Sequence, residues 1–537
     1  MRISNFIKKY PYLFLLFVGL LIYLPSLLNG FVWDDEEQVL GNVAIRSVAN
    51  IPSFFSQSTF NNGGAGKMSG MYFKPLMPVS FALIHIFSGL NAWGYHLFQT
   101  VLHLANTGLV YSIFLTFFSP LAAFLGALLF LVHPANVETV VYISALQDAL
   151  YMFFGLLSLK LLVKNKEINF QTMLYVGGLM FLALLGKETG VLFLGINLLY
   201  VLLYRRESLV DYLMTMALVV AGYFLLRFGM AGIGLSQNHL SPIMKTSVME
   251  RWQNIPAVVL FYLEKLILPA KLAISQHWLV QGRTFGDFFM PLAVIFTVVL
   301  LFVAGLYQSK KSGQKWPTIF FFGGVLFSAL FLHSQIVALD MTVAERWMYV
   351  MVFGAVGIFL YYLDQGLKQE KLKPVLVWGL SIVILTFTLR SAWRVSDWRT
   401  GLKLYEKDEA TAKDTFDFEN NFGVYLFRVG RYKESKKHYL RSTIVEPLWW
   451  TNWNNLGVIY EMEGKVKQAE KCYLRSIKNG DYYLAYENYT KLLLKQKKWQ
   501  QAKTFLEKEA LVRFPYNGNL RNMYSYIIQN SKGKSQN

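Results

Sequence analysis

The chain opens on a polar stub and then runs apolar from about Pro11 to Leu28, and such runs recur along its first 390 residues. They lie near 11–28, 95–118, 120–136, 139–162, 172–187, 189–204, 209–229, 287–307, 317–338, 344–363 and 374–391. Each approaches the roughly 20 apolar residues that a helix needs to cross a bilayer, so the pattern predicts about eleven spans. The first run is longer than a signal-peptide core and lacks an A-x-A-like site, which makes it a retained membrane helix. Two shorter pieces, "PLMPVSFALIHIFSGL" (75–90) and "PAVVLFYLEKLILPA" (256–270), would break the alternation of sides if counted. They are read as surface-lying or re-entrant helices.

Basic residues decide the orientation. They gather in "RISNFIKK" (2–9), "KLLVKNK" (160–166), "YRRE" (204–207), "QSKKSGQK" (308–315) and "LKQEKLK" (367–373). With those loops cytoplasmic, the amino terminus is inside, the carboxyl terminus outside, and a long first outer loop spans about 29–92.

After Arg390 charges become frequent and the apolar period turns helical. "NNFGVYLFRVGRYKESKKHYLRSTIVEP" and "NNLGVIYEMEGKVKQAEKCYLRSIKNG" align at an offset of 34, pairing Gly423 with Gly457, Gly430 with Gly464, Tyr439 with Tyr473 and Ser442 with Ser476. A degenerate third copy follows, with Ala502 standing 33 residues after Ala469. Period, glycines and aromatics resemble the tetratricopeptide repeat, a helix–turn–helix unit that buries its apolar face only by stacking. The expected fold class is all-α: a multispan membrane domain (1–391), a linker (392–415), an α-solenoid of about three repeats (416–530) and a disordered tail (531–537).

Composition agrees. Of 537 residues 54% are hydrophobic and only 16% charged, too apolar for an ordinary soluble protein. The net charge of +19 is carried largely by the cytoplasmic loops and by residues 390–537, which hold 27 Lys/Arg against 16 Asp/Glu. That distribution suits anionic lipid headgroups or acidic glycans rather than nucleic acid. The lone Cys472 excludes an intramolecular disulfide framework.

The polar residues between the apolar runs mark the candidate chemistry. The first outer loop carries four consecutive acids, Asp34, Asp35, Glu36 and Glu37, and a Gly-rich "NNGGAGKMSGM" (61–71). The latter lacks the Gly-Lys-Ser/Thr ending of a phosphate loop and is read as a flexible flap. "HPANVETVVYISALQDA" places His133 and Glu138 at a turn and Asp148 within the following apolar run, where a carboxylate is costly and by default functional. "GKETG" adds Lys187 and Glu188, and "AERWMY" adds Glu345 and Arg346. Singly, each pair is equally well explained as trim at a helix end. Acids and cations together at one membrane face suit a lipid-linked sugar phosphate. A carboxylate would take the proton of an attacking hydroxyl, and cations would meet the departing phosphate.

The set "FVWDDE" (31–36), "YFKPL" (72–76), "HPANVE" (133–138), the Asp148 turn, "KE" (187–188), "ERWMY" (345–349) and "RVSDWRTGLKLY" (394–405) ahead of the repeats resembles the GT-C glycosyltransferases. Within them it is most similar to the bacterial relatives of the transmembrane-and-tetratricopeptide-repeat O-mannosyltransferases. The resemblance implies inverting transfer from a polyprenyl-phosphate sugar to a protein or glycan hydroxyl at the outer face of a bacterial inner membrane. It further implies Asp34 and Asp35 as catalytic, with Asp35 the base or its immediate partner. Arg346 and Lys187 would contact the donor phosphate. His133, Glu138, Asp148, Glu188 and Glu345 would line the polar site, and Asp34 and His133 would be the ligands of a divalent cation (Mg or Mn) if one is used. The chain departs from the family at "ALQD" (145–148), where Leu146 stands in place of an arginine, and at "VMV" (350–352) in place of Leu-Pro-Ser. Two other readings compete. One is a surface-polysaccharide ligase or polymerase, which the short late loop "ALDMTVAER" (338–346) disfavours. The other is a membrane-anchored scaffold for the repeats.

Overall fold

The computed structural model describes residues 9–60, 71–165, 167–234, 241–412 and 415–533. The Gly-rich stretch 61–70 and residues 534–537 of the expected tail lie outside the described residues. Among the described residues every regular element is helical and none is a strand, as the patterning predicts. The chain divides into two compact units. The first holds Met1–Asp35, Ala44–Ser56 and Met71–Thr400; the second holds Glu36–Val43, Gln57–Gly70 and Gly401–Asn537.

The first unit contains α1 (Pro11–Tyr23), α2 (Leu76–Ser88), α3 (Ala92–Phe117), α4 (Pro120–Val132), α5 (Val137–Val141), α6 (Leu146–Lys164), α7 (Phe170–Gly186), α8 (Val191–Tyr204), α9 (Leu209–Phe224), α10 (Val248–Ile267), α11 (Met290–Lys311), α12 (Trp316–Leu332), α13 (Met348–Gly366) and α14 (Lys373–Asp397). Proline opens several of them, at N1 or N2 of α1, α4, α11, α12 and α14, where its missing N–H leaves no intrahelical bond unmade.

Among the described residues, seven helical stretches are long and apolar enough to cross a membrane, and the bent pair α4–α5 would make eight. Three shorter apolar helices, Phe170–Gly186, Glu188–Tyr204 and Trp316–Leu332, fall on the other expected spans. At 1.5 Å per residue, 17 residues reach only about 26 Å, short of a hydrocarbon core of about 30 Å. All eleven expected runs are therefore helical, and eight satisfy the length test. The 75–90 segment forms the short α2. The 256–270 segment is the second half of α10, which begins earlier because Ser247 and Glu250 form a capping box.

The second unit pairs α15 (Gly401–Ala412), α16 (Phe416–Arg428), α17 (Tyr432–Val445), α18 (Trp450–Met462), α19 (Val466–Asn479), α20 (Tyr483–Lys495), α21 (Trp499–Phe505) and α22 (Gly518–Gly533) into stacked hairpins. The offset of 34 is visible in the packing. A Cβ on Gly423 would meet Tyr439 Cε1 at 2.6 Å, and one on Gly457 would meet Tyr473 Cε1 at the same 2.6 Å. Likewise Ser442 Oγ donates to Phe416 O at 2.7 Å and Ser476 Oγ to Trp450 O at 2.8 Å. The third hairpin has Lys491 where the other two have glycine, and it is held by its own cluster of Tyr486, Leu493, Ala502, Leu506 and Phe514.

Candidate functional site

The site lies in the first unit, where breaks in otherwise apolar helices leave polar backbone and side chains to be satisfied. Pro134 biases the residue before it toward an extended conformation, and His133 adopts φ −67°, ψ 121°. The chain bends by 50° between Pro120–Val132 and Pro134–Val141. A second break follows at Tyr142, also extended, before a short turn at Ile143–Ala145 leads into α6. Asp148 therefore sits in the first turn of a helix, not deep within an apolar span as the periodicity suggests. An acid there is favoured by the helix dipole.

These breaks receive the acids of the first loop. Asp35 is buried: its Oδ1 accepts from Ser144 N at 2.8 Å and Ser144 Oγ at 2.7 Å, and its Oδ2 from Val32 N at 3.1 Å. Burial pushes its carboxyl up to about 7 despite those bonds. Asp34 remains partly exposed, and its Oδ2 accepts from the Tyr142 hydroxyl at 2.8 Å. Directly before it, Trp33 has φ 57°, a left-handed conformation rare for a bulky residue, and its indole lies 6.0 Å from and nearly parallel to the Tyr142 ring. Trp398 approaches the same tyrosine at 5.5 Å between ring centroids.

Three ion pairs cross between the remaining breaks. Arg346 Nη1 lies 2.6 Å from Glu138 Oε1, and the Arg346 N–H donates to Glu138 Oε2 at 3.3 Å. Lys187 Nζ lies 2.6 Å from the fully buried Asp148 Oδ1. Arg227 Nη1 lies 2.7 Å from Glu188 Oε1, which also accepts from Phe73 N at 3.2 Å. Gly190 lets the Glu188–Gly190 turn close on α7, since a Cβ there would meet Ala183 backbone at 2.7 Å.

A second group comes from chain regions that carried no site residue in the sequence reading. The buried Lys74 lies over the Tyr72 ring, 4.2 Å from its centroid, and burial lowers its pKa. The Tyr72 hydroxyl donates to Asp340 Oδ2 at 3.0 Å. Asp340 is open to solvent and within electrostatic reach of Arg346, Lys74 and Lys187. Tyr72 in turn feels Glu188 and Asp34, and Tyr142 feels Arg346. Asp34, Asp35, Asp148, Lys187, Glu188, Glu138 and Arg346 thus belong to one polar network with Tyr72, Lys74, Tyr142, Ser144, Arg227 and Asp340. The motif "YFKPL" was the one local signal for Tyr72 and Lys74. For Arg227 and Tyr142 there was none.

Two expected residues turn to backbone instead. His133 Nε2 pairs with Leu266 O at 3.2 Å, and its Nδ1 accepts from Ala135 N at 3.3 Å. Glu345 Oε1 accepts from Ala273 N at 2.6 Å. Among the described residues no group of three or more His, Cys, Asp or Glu side chains is placed to hold a metal ion. Asp34 and His133 accordingly belong to no such group.

A helical membrane-type domain with a polar network at its helix breaks, followed by a solenoid, is the class that fold and site define. Within that class, the chain is 24% identical over 446 residues to Protein O-mannosyl-transferase F38B6.6 of Caenorhabditis elegans, covering 81% of this chain and 62% of that protein. It is 24% identical over 465 residues to Protein O-mannosyl-transferase TMTC3 of Mus musculus, covering 79% of this chain but 50% of that protein. A stretch of 154 residues is 31% identical to human Protein O-mannosyl-transferase TMTC2, covering 28% of this chain and 18% of the relative. The chain therefore spans less than two thirds of the length of each of these relatives. No family model matches. Among solved structures, the crystal structure of ArnT from Cupriavidus metallidurans bound to undecaprenyl phosphate aligns over 87% of this chain and 80% of its own, at TM-score 0.41 and 15% identity. The family resemblance read from the motifs is borne out by the sequence relatives.

Proposed function

We propose that the chain is a glycosyltransferase that moves a sugar from a polyprenyl-phosphate donor to an acceptor hydroxyl, on a protein or glycan, at the outer face of the membrane and with inversion. The observation that carries this reading is the division of labour between adjacent carboxylates. Asp35 is buried with both oxygens engaged and anchors the loop to Ser144; Asp34 is partly exposed and oriented by Tyr142. Asp34 is the base and Asp35 its immediate partner.

In the step, Asp34 takes the proton of the acceptor hydroxyl, whose oxygen attacks the anomeric carbon from the face opposite the phosphate. The bond from that carbon to the phosphate oxygen breaks, and its electron pair leaves with the polyprenyl phosphate. One displacement inverts the anomeric centre. Arg346, Lys187 and Lys74 supply the positive charge that meets the leaving phosphate. Glu138 and Asp148 hold the first two in place before substrate arrives, so little reorganisation is left to the reaction itself.

The test is reconstitution into vesicles with a radiolabelled polyprenyl-phosphate sugar, alongside a lipid and glycan profile of a strain lacking the gene. Transfer lost in Asp34→Asn with insertion intact, and a lipid-linked sugar accumulating in the deletion strain, are the expected results. Full transfer by Asp34→Asn removes Asp34 as the base. An unchanged lipid profile removes the lipid-linked donor.

A further inference from the structure

Helix α3 carries none of the site residues, yet its polar side chains reach the elements that do. Gln99, His103 and Asn106 stand at i, i+4 and i+7 along it and so share one face. All three are buried, inside one of the stretches long and apolar enough to span a membrane. Polar groups in such surroundings are retained only where they find partners.

Each of the three bonds a group at a helix break. Tyr142 leaves the helical conformation at the end of α5, so the Thr139 carbonyl loses the N–H that would have closed the next turn. Gln99 Nε2 donates to Thr139 O at 2.6 Å and to Tyr142 O at 2.7 Å. The break at Pro134 turns the Ala135 N–H to His133 Nδ1 and away from Leu131 O. His103 Nε2 and the Tyr23 hydroxyl take that carbonyl instead, each at 3.2 Å. With Nε2 donating, His103 Nδ1 is the acceptor, and the Tyr349 hydroxyl donates to it at 2.6 Å. Asn106 Nδ2 donates to Ala149 O at 3.1 Å and to the Tyr349 oxygen at 3.4 Å.

These contacts fall next to the site residues. Ala149 follows Asp148, and Tyr349 stands three residues after Arg346. Gln99 has the most direct hold, because it bonds the backbone of the same Tyr142 whose hydroxyl donates to Asp34. The turn that follows Tyr142 also gives its Ser144 N–H to Asp35. A face that served stability alone would be paired throughout. Instead Gln99 Oε1 and Asn106 Oδ1 are buried with no hydrogen-bond partner, a cost that stability does not offset and that is characteristic of functional positions.

We propose that Gln99 is a positioning residue for sugar transfer: it fixes the Tyr142–Ser144 turn, and through the Tyr142 hydroxyl it holds Asp34 toward the acceptor. His103 and Asn106 brace the neighbouring breaks from the same face. The link to transfer rests on the transferase reading above; the hold of Gln99 on the turn does not.

The test puts the full chain in nanodiscs and compares wild type with Gln99→Met, which keeps an unbranched side chain of similar size and removes the donor. Hydrogen exchange is read first, without substrate. Gln99→Met should speed exchange about 10-fold in the peptide covering 139–146, as expected when two hydrogen bonds are lost. Unchanged exchange there overturns the proposal whether or not sugar moves.

Transfer is read second. Gln99→Met should lower kcat about 10- to 100-fold, with KM for the donor moving less, since Arg346, Lys187 and Lys74 are untouched. In a Tyr142→Phe background the hydroxyl to be positioned is gone, and the same substitution should lower kcat by only about 2-fold. A merely structural role lowers kcat by one factor in both backgrounds; that result overturns the proposal, as does full kcat in Gln99→Met. Gln99→Asn keeps an amide on a stem one carbon shorter and should fall between wild type and Gln99→Met, so the same readings apply if the methionine variant does not fold. Wild-type protein that transfers nothing overturns the transferase reading instead, and the exchange result alone then decides whether Gln99 holds the turn.

Discussion

The Tyr142 hydroxyl donates to Asp34 Oδ2 at 2.8 Å, while Asp35, one residue on, has both oxygens engaged by Ser144 and Val32. Two adjacent carboxylates therefore have different work to do. Asp34→Asn is expected to lower kcat by about 10²–10⁴-fold, the range for loss of a positioned general base, with little change in thermal stability. Asp35→Asn turns one of the two accepting oxygens into an amide N–H that faces the N–H of either Val32 or Ser144, so it should lower the unfolding temperature as well as activity. Initial-rate assays and melting curves on both variants check this. Equal activity losses with equal stability losses would contradict the division.

Stability should carry the titration of Asp35. Its carboxyl is raised from 3.8 to about 7 by burial, so between those values the folded state holds a proton that the unfolded state has released. The unfolded state then binds fewer protons, and folding stability falls as pH rises from about 4 to about 7. Melting curves of the detergent-solubilised protein at pH 5 and pH 8 should show the wild type less stable at pH 8. Asp35→Asn should remove that component of the difference, and a difference of undiminished size in the variant would refute the assignment.

What the sequence could and could not say follows from the range of the interactions. The apolar runs and the offset of 34 are local or periodic, and they return as helices and as the matched Gly423–Tyr439 and Gly457–Tyr473 contacts. The break at Tyr142–Ala145 was invisible in an apolar pattern that ran straight through 139–162. Its polar backbone is satisfied in part by Asp35, 109 residues away, which takes the Ser144 N–H. For the same reason Asp148 was legible as a candidate, but its place in a first helical turn was not. Lys187 and Glu188 read as a neighbouring pair, yet each finds its partner elsewhere, in Asp148 and Arg227. No periodicity encodes such pairings.

The Arg346–Glu138 pair gives a test of preorganisation that separates fold from chemistry. Both side chains are buried, and removing one leaves the other charge unpaired, at roughly 3–5 kcal/mol. Arg346→Met or Glu138→Gln alone should therefore destabilise strongly. The double variant should recover much of the stability while transfer stays lost, because the phosphate still lacks its cation. Chemical denaturation and transfer assays on the three proteins form a double-mutant cycle. Recovery of activity in the double variant would show that Arg346 serves the fold alone.

Trp33 holds a left-handed backbone, φ 57°, immediately before Asp34. A conformation of that kind costs of order 1–3 kcal/mol for a bulky residue, and its orientation of the next residue is a reason to retain it. Trp33→Val, β-branched and least tolerant of positive φ, should lose both stability and activity. Trp33→Gly accepts the conformation freely, so it should be the more stable of the two while losing the ring contact with Tyr142. Melting temperatures decide the order. A valine variant as stable as the glycine one would mean that the loop relaxes and the strain has no function.

Which side of the membrane the repeats occupy can be read chemically, but not through the native cysteine. Cys472 is buried, and burial pushes its thiol up to about 11, so very little of it is thiolate at neutral pH. It should resist a membrane-impermeant maleimide in the folded protein on either side, and react only after denaturation. Lys437 is exposed on α17, so Lys437→Cys in a Cys472→Ser background offers a reactive and accessible thiol. The basic-loop pattern predicts that it lies outside, and in that case intact cells should label it as fully as lysed ones. Labelling that appears only after lysis would put the repeats inside, and an outer-face acceptor could no longer be guided by them.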